Sequence, residues 1–220
     1  MRSNKLVKFY KFAKAEVVNA GYGDEYEWQL RRNFESITER EFLEEYAWVV
    51  LNCGFREEVV RQIFPFISLA FFDFTSANRI VKHGEECIQI ALFSFANRKK
   101  LQAIVDGSSL VADLGFKTFI AQVREDRNFL QKLPFIGSVT QTHLLKNIGF
   151  SIAKNDRHLA KLSGVLGFTN AFELCSHLAA DTGDSISAID LVLWRFCAIN
   201  TKKNKRWFWD IHIPHFTYRP

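Results

Sequence analysis

Apolar residues recur at helical spacing along almost the whole chain, whereas sustained alternation of apolar and polar residues is rare. The first pattern is typical of amphipathic α-helices and the second of half-buried strands. The pattern therefore predicts an all-α protein. We expect helices at about 3–19, 24–35, 39–52, 56–71, 78–96, 98–106, 108–114, 116–131, 138–148, 156–165, 169–181 and 185–199.

Capping residues support several of the predicted helix starts. Thr38 precedes Glu41 with the spacing of a capping box, and Ser138 follows Gly137. Hydroxyl side chains at such positions accept hydrogen bonds from the free N–H groups of the first helical turn. Pro134 lies between two predicted helices and requires the first of them to end before it.

Composition favours a well-packed globular protein. The chain has 220 residues, of which 48% are hydrophobic and 22 are Phe, enough for one compact domain or two small lobes. No apolar run reaches the roughly 20 residues that span a bilayer. The N-terminus is basic and amphipathic but lacks the apolar centre of a signal peptide. We expect an intracellular monomer, cytoplasmic or nucleoid-associated, with no membrane partner.

Charge and metal-binding residue types narrow the chemistry further. The formal net charge of +5 is compatible with a polyanionic partner such as nucleic acid. The four cysteines are scattered without a CxxC pair, and the six histidines lack the spacing of a metal site. We therefore predict no metal centre and no required cofactor.

Residues 122–149 show the pattern of a hairpin that binds an anion. A predicted helix ends in basic residues, and the sequence Leu133-Pro134-Phe135-Ile136-Gly137 then requires a tight reversal. Gly137 is suited to the positive φ that such a turn needs. The next helix begins at Ser138, so its free N–H groups favour an anion such as a DNA phosphate. The residues expected to contact DNA are Phe135, Ile136, Gly137, Val139, Thr140, Lys132 and Lys146.

The same hairpin sequence also suits an ordinary connection between two helices, and that alternative stays open. Asp156, further along the chain, has two interpretations as well. It precedes a predicted helix, where an aspartate commonly acts only as an N-cap. A capping carboxylate remains ionised through its amide hydrogen bonds, and one that faces a deoxyribose can stabilise positive charge or orient a water. Asp156 is therefore the candidate catalytic residue.

Together, the hairpin and the aspartate resemble the signature of the HhH-GPD superfamily of DNA glycosylases. The LPGxG hairpin of this family matches residues 133–137, and its catalytic aspartate before an Arg/Thr-His pair matches Asp156 in Asp156-Arg157-His158. Residues 142–149 are similar to the corresponding helix end in one 8-oxoguanine glycosylase/lyase branch. Residues 189–195 are similar to a late helix of the family. The resemblance is good over about 120–200 and weaker over 36–100.

Two residues depart from the family pattern. Phe135 replaces the first glycine of the hairpin, which alters how closely the backbone approaches a phosphate. Val139 stands where bifunctional members place the lysine that attacks C1′, and valine is not a nucleophile. The resemblance therefore implies a monofunctional enzyme that uses water. It also implies a monovalent cation held by carbonyl groups of the hairpin.

An enzyme that acts on a base within a duplex must extrude that base and fill the gap. Tyr46, Trp48 and Trp194 are candidates for the base pocket because aromatic faces stack on bases. Asn52 and Phe55 lie where family members carry an intercalating loop, so the resemblance makes them candidates for the wedge. For each of these residues, packing in the core or at a helix connection is the alternative.

The chain ends with a segment that mixes basic and aromatic residues. Trp207 and Trp209 follow Lys202, Lys203, Lys205 and Arg206 within residues 201–220. Such interleaving suits binding of a nucleic-acid backbone together with stacking on bases. A solvated basic cluster followed by a packed tail is the alternative.

These observations predict an all-α, HhH-GPD-like fold of two helical lobes with a central cleft. Residues 1–35 and 115–220 are expected to form one lobe, which carries the helix-hairpin-helix (about 122–148) and Asp156, and residues 36–114 the other. The expected function is excision of a damaged or modified base from double-stranded DNA, through Asp156-assisted attack of water on a flipped nucleotide. The alternatives are a non-catalytic DNA-binding protein on the same scaffold, a bifunctional 8-oxoguanine-type glycosylase/lyase, and a helical protein-interaction domain.

Overall fold

The computed structural model describes the backbone of residues 2–204 and the side chains of residues 4–201. This part of the chain is all-helical and contains no strand, which confirms the predicted fold class. The α-helices are α1 (Arg2–Val17), α2 (Gly23–Arg31), α3 (Glu39–Asn52), α4 (Glu57–Ala70), α5 (Ala77–Lys82), α6 (Gly84–Leu92), α7 (Arg98–Leu114), α8 (Phe116–Glu125), α9 (Ser138–Asn147), α10 (Arg157–Leu166), α11 (Ala171–Thr182) and α12 (Ile186–Asn204).

Short helical segments of other types connect some of these helices. A π-helical segment, Val18–Tyr22, joins α1 to α2, and 3-10 turns occupy Phe34–Ser36, Phe72–Phe74 and Arg127–Lys132. None of the helices in the described part combines the length and apolarity needed to cross a bilayer.

Several predicted helix boundaries were wrong, and three of them change the order of elements or the end of a helix near the hairpin. The predicted helix at 78–96 is divided into α5 and α6 at His83. The two helices predicted at 98–106 and 108–114 form one helix, α7, although it contains Gly107. The helix predicted at 116–131 ends at Glu125, because Asp126 is extended and its side chain caps the following 3-10 turn.

The chain divides into two compact units with different boundaries from those predicted. Unit 2 comprises residues 33–148, and unit 1 comprises residues up to 32 together with the described residues from 149 onward. Residues 115–148, which we assigned to the lobe of Asp156, belong to unit 2 because α8 packs on α7 and α9 packs on α3. In α3 and α8, the rings of Phe42 and Phe119 meet edge to face at 4.9 Å. The hairpin and Asp156 therefore lie in different units.

In unit 1, α12 packs against α1, α2, α10 and α11. Its apolar core is reinforced by a bidentate ion pair in which both Oε atoms of Glu25 lie 2.7 Å from guanidinium nitrogens of Arg195. The Arg195 side chain is only 9% exposed, and its guanidinium lies 4.5 Å from the ring of Tyr22 and 4.8 Å from that of Trp194. This planar contact fixes α2 onto α12.

A second polar cluster in unit 1 joins α1 and α2 to the connection before α12. Tyr10 donates a hydrogen bond of 2.6 Å to Asp184, and the Lys14 ammonium lies 3.2 Å from the same carboxylate oxygen. Lys14 also donates to the hydroxyl of Tyr26 at 2.5 Å. Burial alone would raise the pKa of Asp184, but its hydrogen bonds and the charge of Lys14 lower that pKa on balance.

Unit 2 contains a strained turn between α4 and α5. Phe72, Asp73 and Phe74 all have positive φ, between 50° and 56°. This conformation costs a non-glycine residue roughly 1–2 kcal/mol. Phe71 and Phe74 are completely buried, and their rings stack at 6.0 Å. Burial of these two rings offsets the strain of the left-handed turn.

Asp184→Asn is expected to destabilise the protein by about 1–2 kcal/mol at neutral pH, because Lys14 loses its ionised partner. The folded pKa of Asp184 is depressed, so its stabilising charge is fully present above its unfolded pKa of about 3.9. That contribution is lost as the pH falls through the lower, folded value. Urea unfolding of both proteins between neutral and strongly acidic pH should show the stability difference shrinking toward acid.

The matched control is Asp113→Asn, because Asp113 is exposed near the end of α7. This variant should unfold like the parent at every pH. A difference between Asp184→Asn and the parent that stays constant through the acidic range would contradict an electrostatic role for Asp184.

Candidate functional site

The hairpin in unit 2 is a tight turn with its positive φ on an unexpected residue. The N–H of Ile136 donates to the carbonyl of Leu133 at 3.1 Å and closes the turn. Phe135, at the third position, has φ 65°, whereas Gly137 has φ −101°. Proline at the second position and positive φ at the third are the features of a type II turn. The prediction that Gly137 supplies the positive φ was therefore wrong.

Tyr46 of α3 supports this turn from within the core. Its hydroxyl lies 2.8 Å from the carbonyl oxygen of Ala103 and 3.1 Å from that of Pro134. The side chain is completely buried, and burial raises the pKa of the phenol. A Cβ added at Gly107 would overlap the Tyr46 ring, which explains a glycine in the middle of α7. Tyr46 is thus a core residue that holds the hairpin and does not offer a face to an extruded base.

Most polar groups of the hairpin are engaged within the protein. The N–H of Gly137 donates to the Thr140 hydroxyl at 2.8 Å, and that hydroxyl lies 2.9 Å from the carbonyl oxygen of Phe135. Ile136 uses its N–H within the turn and buries its side chain. The predicted contacts of Ile136 and of the Gly137 N–H with phosphate are therefore not available in this conformation.

The first turn of α9 is the part of the hairpin whose backbone N–H groups lack partners inside the helix. The first intrahelical hydrogen bond of α9 is donated by Gln141 to Gly137, at 2.8 Å. The N–H groups of Ser138, Val139 and Thr140 precede it and have no partner within the helix. Ser138 and Val139 are exposed, and the Val139 side chain is 65% accessible. These donors are open to an anionic ligand.

Gln141 fixes α9 against the preceding 3-10 turn. Its amide nitrogen donates to the carbonyl of Arg127 at 2.8 Å, and its oxygen accepts from Gln131 at 2.5 Å. At the other end of α9, the Asn147 amide donates to the buried carboxylate of Glu45 at 2.9 Å. Side chains from α3 and the 3-10 turn therefore orient both ends of α9.

The lysines predicted to contact DNA differ in their exposure. Lys132 is exposed, and its ammonium lies 4.4 Å from the ring centroid of Phe129. Lys146 is half-buried in the last turn of α9. Lys132 is therefore well placed for a solvent-exposed ligand, whereas Lys146 is partly covered by its own unit.

Lys100 is a cation near the hairpin that the sequence did not indicate, because Arg98-Lys99-Lys100 has the pattern of a solvated helix start. It is 3% exposed, and its ammonium donates to the carbonyls of Val50 and Leu51, the latter at 3.3 Å. Burial lowers the pKa of its amine. Lys100 thus satisfies carbonyl groups at the end of α3.

The residues of α3 and of the α3–α4 connection that we predicted for the wedge and the base pocket differ from one another in exposure and contacts. Phe55 is 42% exposed and meets the ring of Phe95 edge to face at 5.1 Å. The Asn52 amide donates to the carbonyl of Trp48 at 2.9 Å, within its own helix. Trp48 is half-buried against Phe64 at 5.1 Å. Of these residues, Phe55 has the accessible ring that a wedge requires.

Asp156 in unit 1 is the N-cap of α10, as predicted. Its Oδ1 accepts hydrogen bonds from the N–H groups of His158 at 2.9 Å and Leu159 at 3.0 Å. The side chain is half-buried. Within the described part of the chain, Oδ2 accepts no hydrogen bond. One oxygen therefore holds the helix while the other is available to a ligand.

The loop before Asp156 is anchored by two residues of α12. The Ser187 hydroxyl accepts from the N–H of Ile152 at 3.2 Å and lies 2.8 Å from the carbonyl oxygen of Phe150. The buried carboxylate of Asp190 accepts from the N–H of Lys154 at 2.8 Å. These bonds restrict the backbone that delivers Asp156, and the sequence indicated neither role.

The titratable neighbours of Asp156 are held in their neutral forms. Burial lowers the pKa of His158, although the charge of Asp156 opposes this shift. Burial raises the pKa of the Cys197 thiol to about 12, and the negative charge of Asp156 adds to that shift. In the described part of the chain, no group of three or more His, Cys, Asp or Glu side chains is arranged to hold a metal ion.

Trp194 is half-buried on α12, where it packs against the core of unit 1 next to Arg195. Trp207 and Trp209 lie outside the described residues.

The carbonyl oxygens of Leu133, Pro134 and Phe135 each accept a hydrogen bond from within unit 2. The monovalent cation that the resemblance implies at the hairpin stays a prediction.

No protein-family model, curated protein or solved structure matches this chain. The resemblance to the glycosylase superfamily consequently depends on the motif residues of the hairpin and of Asp156.

Gly107→Ala is expected to destabilise the protein by about 1–3 kcal/mol, because the added methyl group must displace the buried Tyr46 ring. Alanine would otherwise stabilise the helix by about 1 kcal/mol. Gly164→Ala in α10 is the control, since an added Cβ there meets no atom and the residue lies within the helix. Urea unfolding should show a loss for Gly107→Ala alone. Equal stability of the Gly107→Ala variant and the parent would contradict the support of the hairpin by Tyr46.

Proposed function

We propose that this protein is a monofunctional DNA glycosylase with an HhH-GPD-like fold. In this proposal, it hydrolyses the N-glycosidic bond of a damaged or modified base in double-stranded DNA. The observation that carries the proposal is that the two oxygens of Asp156 differ in their contacts. Oδ1 caps α10, and Oδ2 accepts no hydrogen bond within the described residues. The loop that precedes Asp156 is anchored to α12 by Ser187 and Asp190, which restricts the position of this carboxylate.

Asp156 has two roles in the proposed reaction. As the bond from C1′ to the base breaks, the sugar acquires oxocarbenium-like positive charge, which a nearby carboxylate stabilises. The same carboxylate accepts a proton from the attacking water, whose oxygen bonds to C1′, while the departing base takes the electron pair of the broken bond and a proton from solvent. Both roles use the second oxygen, Oδ2, while two backbone N–H groups hold Oδ1 in place.

The hairpin provides the DNA contact in this proposal. The open N–H groups in the first turn of α9 bind a backbone phosphate, and the exposed Lys132 adds positive charge nearby. A phosphate contact positions the strand without reading its sequence, which suits an enzyme that recognises an extruded base. Two features of the hairpin favour this use over a plain helix connection, namely the exposure of Val139 and the open space around Gly137.

Hydrolysis is favoured over lyase chemistry by the positions of the lysines. Val139 occupies the place of the family's attacking lysine. Lys100, whose lowered pKa would suit a nucleophilic amine, is buried and donates to two carbonyls at the end of α3. No step of the proposed reaction depends on a bound cation.

Asp156→Asn is expected to reduce base release at least about a hundredfold, because the amide cannot stabilise developing positive charge or accept the proton of water. Asparagine is as good an N-cap as aspartate, so the melting temperature should change little. Affinity for duplex DNA should also be nearly unchanged. Single-turnover base release from a panel of lesion-containing duplexes, with binding measured in parallel, provides the test.

Asp126→Asn is the matched control, since Asp126 caps the 3-10 turn of unit 2 through one oxygen, which accepts from Asn128 at 2.9 Å. It should release bases like the parent. Full activity of Asp156→Asn would exclude the proposed catalytic role. Salt-sensitive DNA binding without release of any base would favour the non-catalytic DNA-binding alternative. Borohydride trapping of a protein–DNA adduct would favour the bifunctional alternative.

A further inference from the structure

Two exposed aromatic rings of unit 2 lie close to one buried cation. The Lys100 ammonium is 5.0 Å from the ring centroid of Phe135 in the hairpin and 5.3 Å from that of Phe55 in the α3–α4 connection. The two side chains are 41% and 42% exposed. Because both rings contact the same nitrogen, the hairpin and the connection present neighbouring aromatic surfaces.

The charge beneath these rings is unusual for a buried position. Lys100 donates to carbonyl groups of Val50 and Leu51, and within the described part of the chain it is not paired with a carboxylate. An ammonium that is shielded from water and lacks a counter-ion produces a strong positive potential at the adjacent surface. Exposed Arg56 and Lys132 have the same sign. The aromatic pair is therefore set in a surface suited to an anionic ligand.

The strain at Phe135 is a separate observation. A phenylalanine at φ 65° is strained compared with a glycine at the same position. In this chain the strain places a large aromatic ring at the apex of the turn. A glycine at this position would let the DNA backbone approach the turn closely, whereas the Phe135 ring occupies that space and offers a face for stacking.

We propose that Phe135 and Phe55 form a stacking surface for unpaired nucleotides, so that the protein prefers single-stranded or locally distorted DNA over an intact duplex. This inference rests on the proposed function only in taking DNA as the ligand. Bases in an intact duplex are stacked on one another and cannot reach these rings. Bases in a single strand or a bulge can stack on them while their phosphates bind the positively charged surface.

The test compares one labelled single strand, its perfect duplex, and the same duplex with a bulge of unpaired nucleotides. Fluorescence anisotropy at one fixed salt concentration gives the three dissociation constants. The parent protein should bind the single strand and the bulged duplex about tenfold more tightly than the perfect duplex.

Phe135→Gly is the most informative variant, because glycine relieves the backbone strain and the melting temperature should stay the same or rise. It should weaken binding of the single strand and of the bulged duplex by about tenfold, while leaving the perfect duplex unaffected or better bound. Phe55→Leu, which keeps an apolar side chain against Phe95, should reduce the same preference. Phe93→Leu is the control, since Phe93 is 94% exposed in unit 2 after α6 and should alter no dissociation constant.

The inference would be overturned if the parent bound all three DNAs with equal affinity or bound none of them. It would also be overturned if the Phe135→Gly variant lost affinity for all three by the same factor. Base release from lesion duplexes is measured separately with the same proteins. If the protein releases bases but shows no preference for unpaired DNA, the stacking surface is excluded and the glycosylase proposal is kept. If it shows the preference but releases no base, the glycosylase proposal is excluded and the stacking surface is kept.

Discussion

The twelve α-helices within residues 2–204 leave N–H and carbonyl groups at their ends without partners inside the helices, and the protein must satisfy these groups. Near the candidate site, this requirement is met by side chains from elsewhere in the same unit. Lys100 donates to the last carbonyls of α3, Tyr46 donates to the hairpin, and Thr140 accepts from Gly137. The geometry of the hairpin therefore depends on hydrogen bonds at helix ends more than on the hairpin sequence itself.

The same requirement links structure to chemistry in unit 1. Asp156 caps α10, and the loop that delivers it is fixed by Ser187 and Asp190 on α12. A carboxylate held in this way has a defined orientation without being enclosed, because one oxygen performs the structural task. Precise placement by surrounding hydrogen bonds is what a catalytic acid or base requires. Structural and catalytic interpretations of Asp156 are therefore complementary.

Features with a local cause could be predicted from the sequence. Helical periodicity predicted the all-α class, and the capping box at Thr38 and the cap at Asp156 follow from short-range spacing. Features with a long-range cause could not. The contacts of Tyr46 and Lys100 with the turn at Pro134 and Phe135 join residues that are distant in sequence. The burial of Lys100 could not be predicted, because Arg98-Lys99-Lys100 has the pattern of a solvated helix start.

We propose one DNA contact in each unit: in unit 1, one oxygen of Asp156 faces the sugar of an extruded nucleotide, and in unit 2, the first turn of α9 holds a backbone phosphate. A crystal structure of the Asp156→Asn variant bound to a lesion-containing duplex tests both parts directly, since the variant should bind DNA without releasing the base. We expect the side chain at position 156 beside C1′ of the extruded nucleotide and a phosphate at the N–H groups of Ser138 and Val139. DNA bound on another surface, or a sugar out of reach of position 156, would contradict the account.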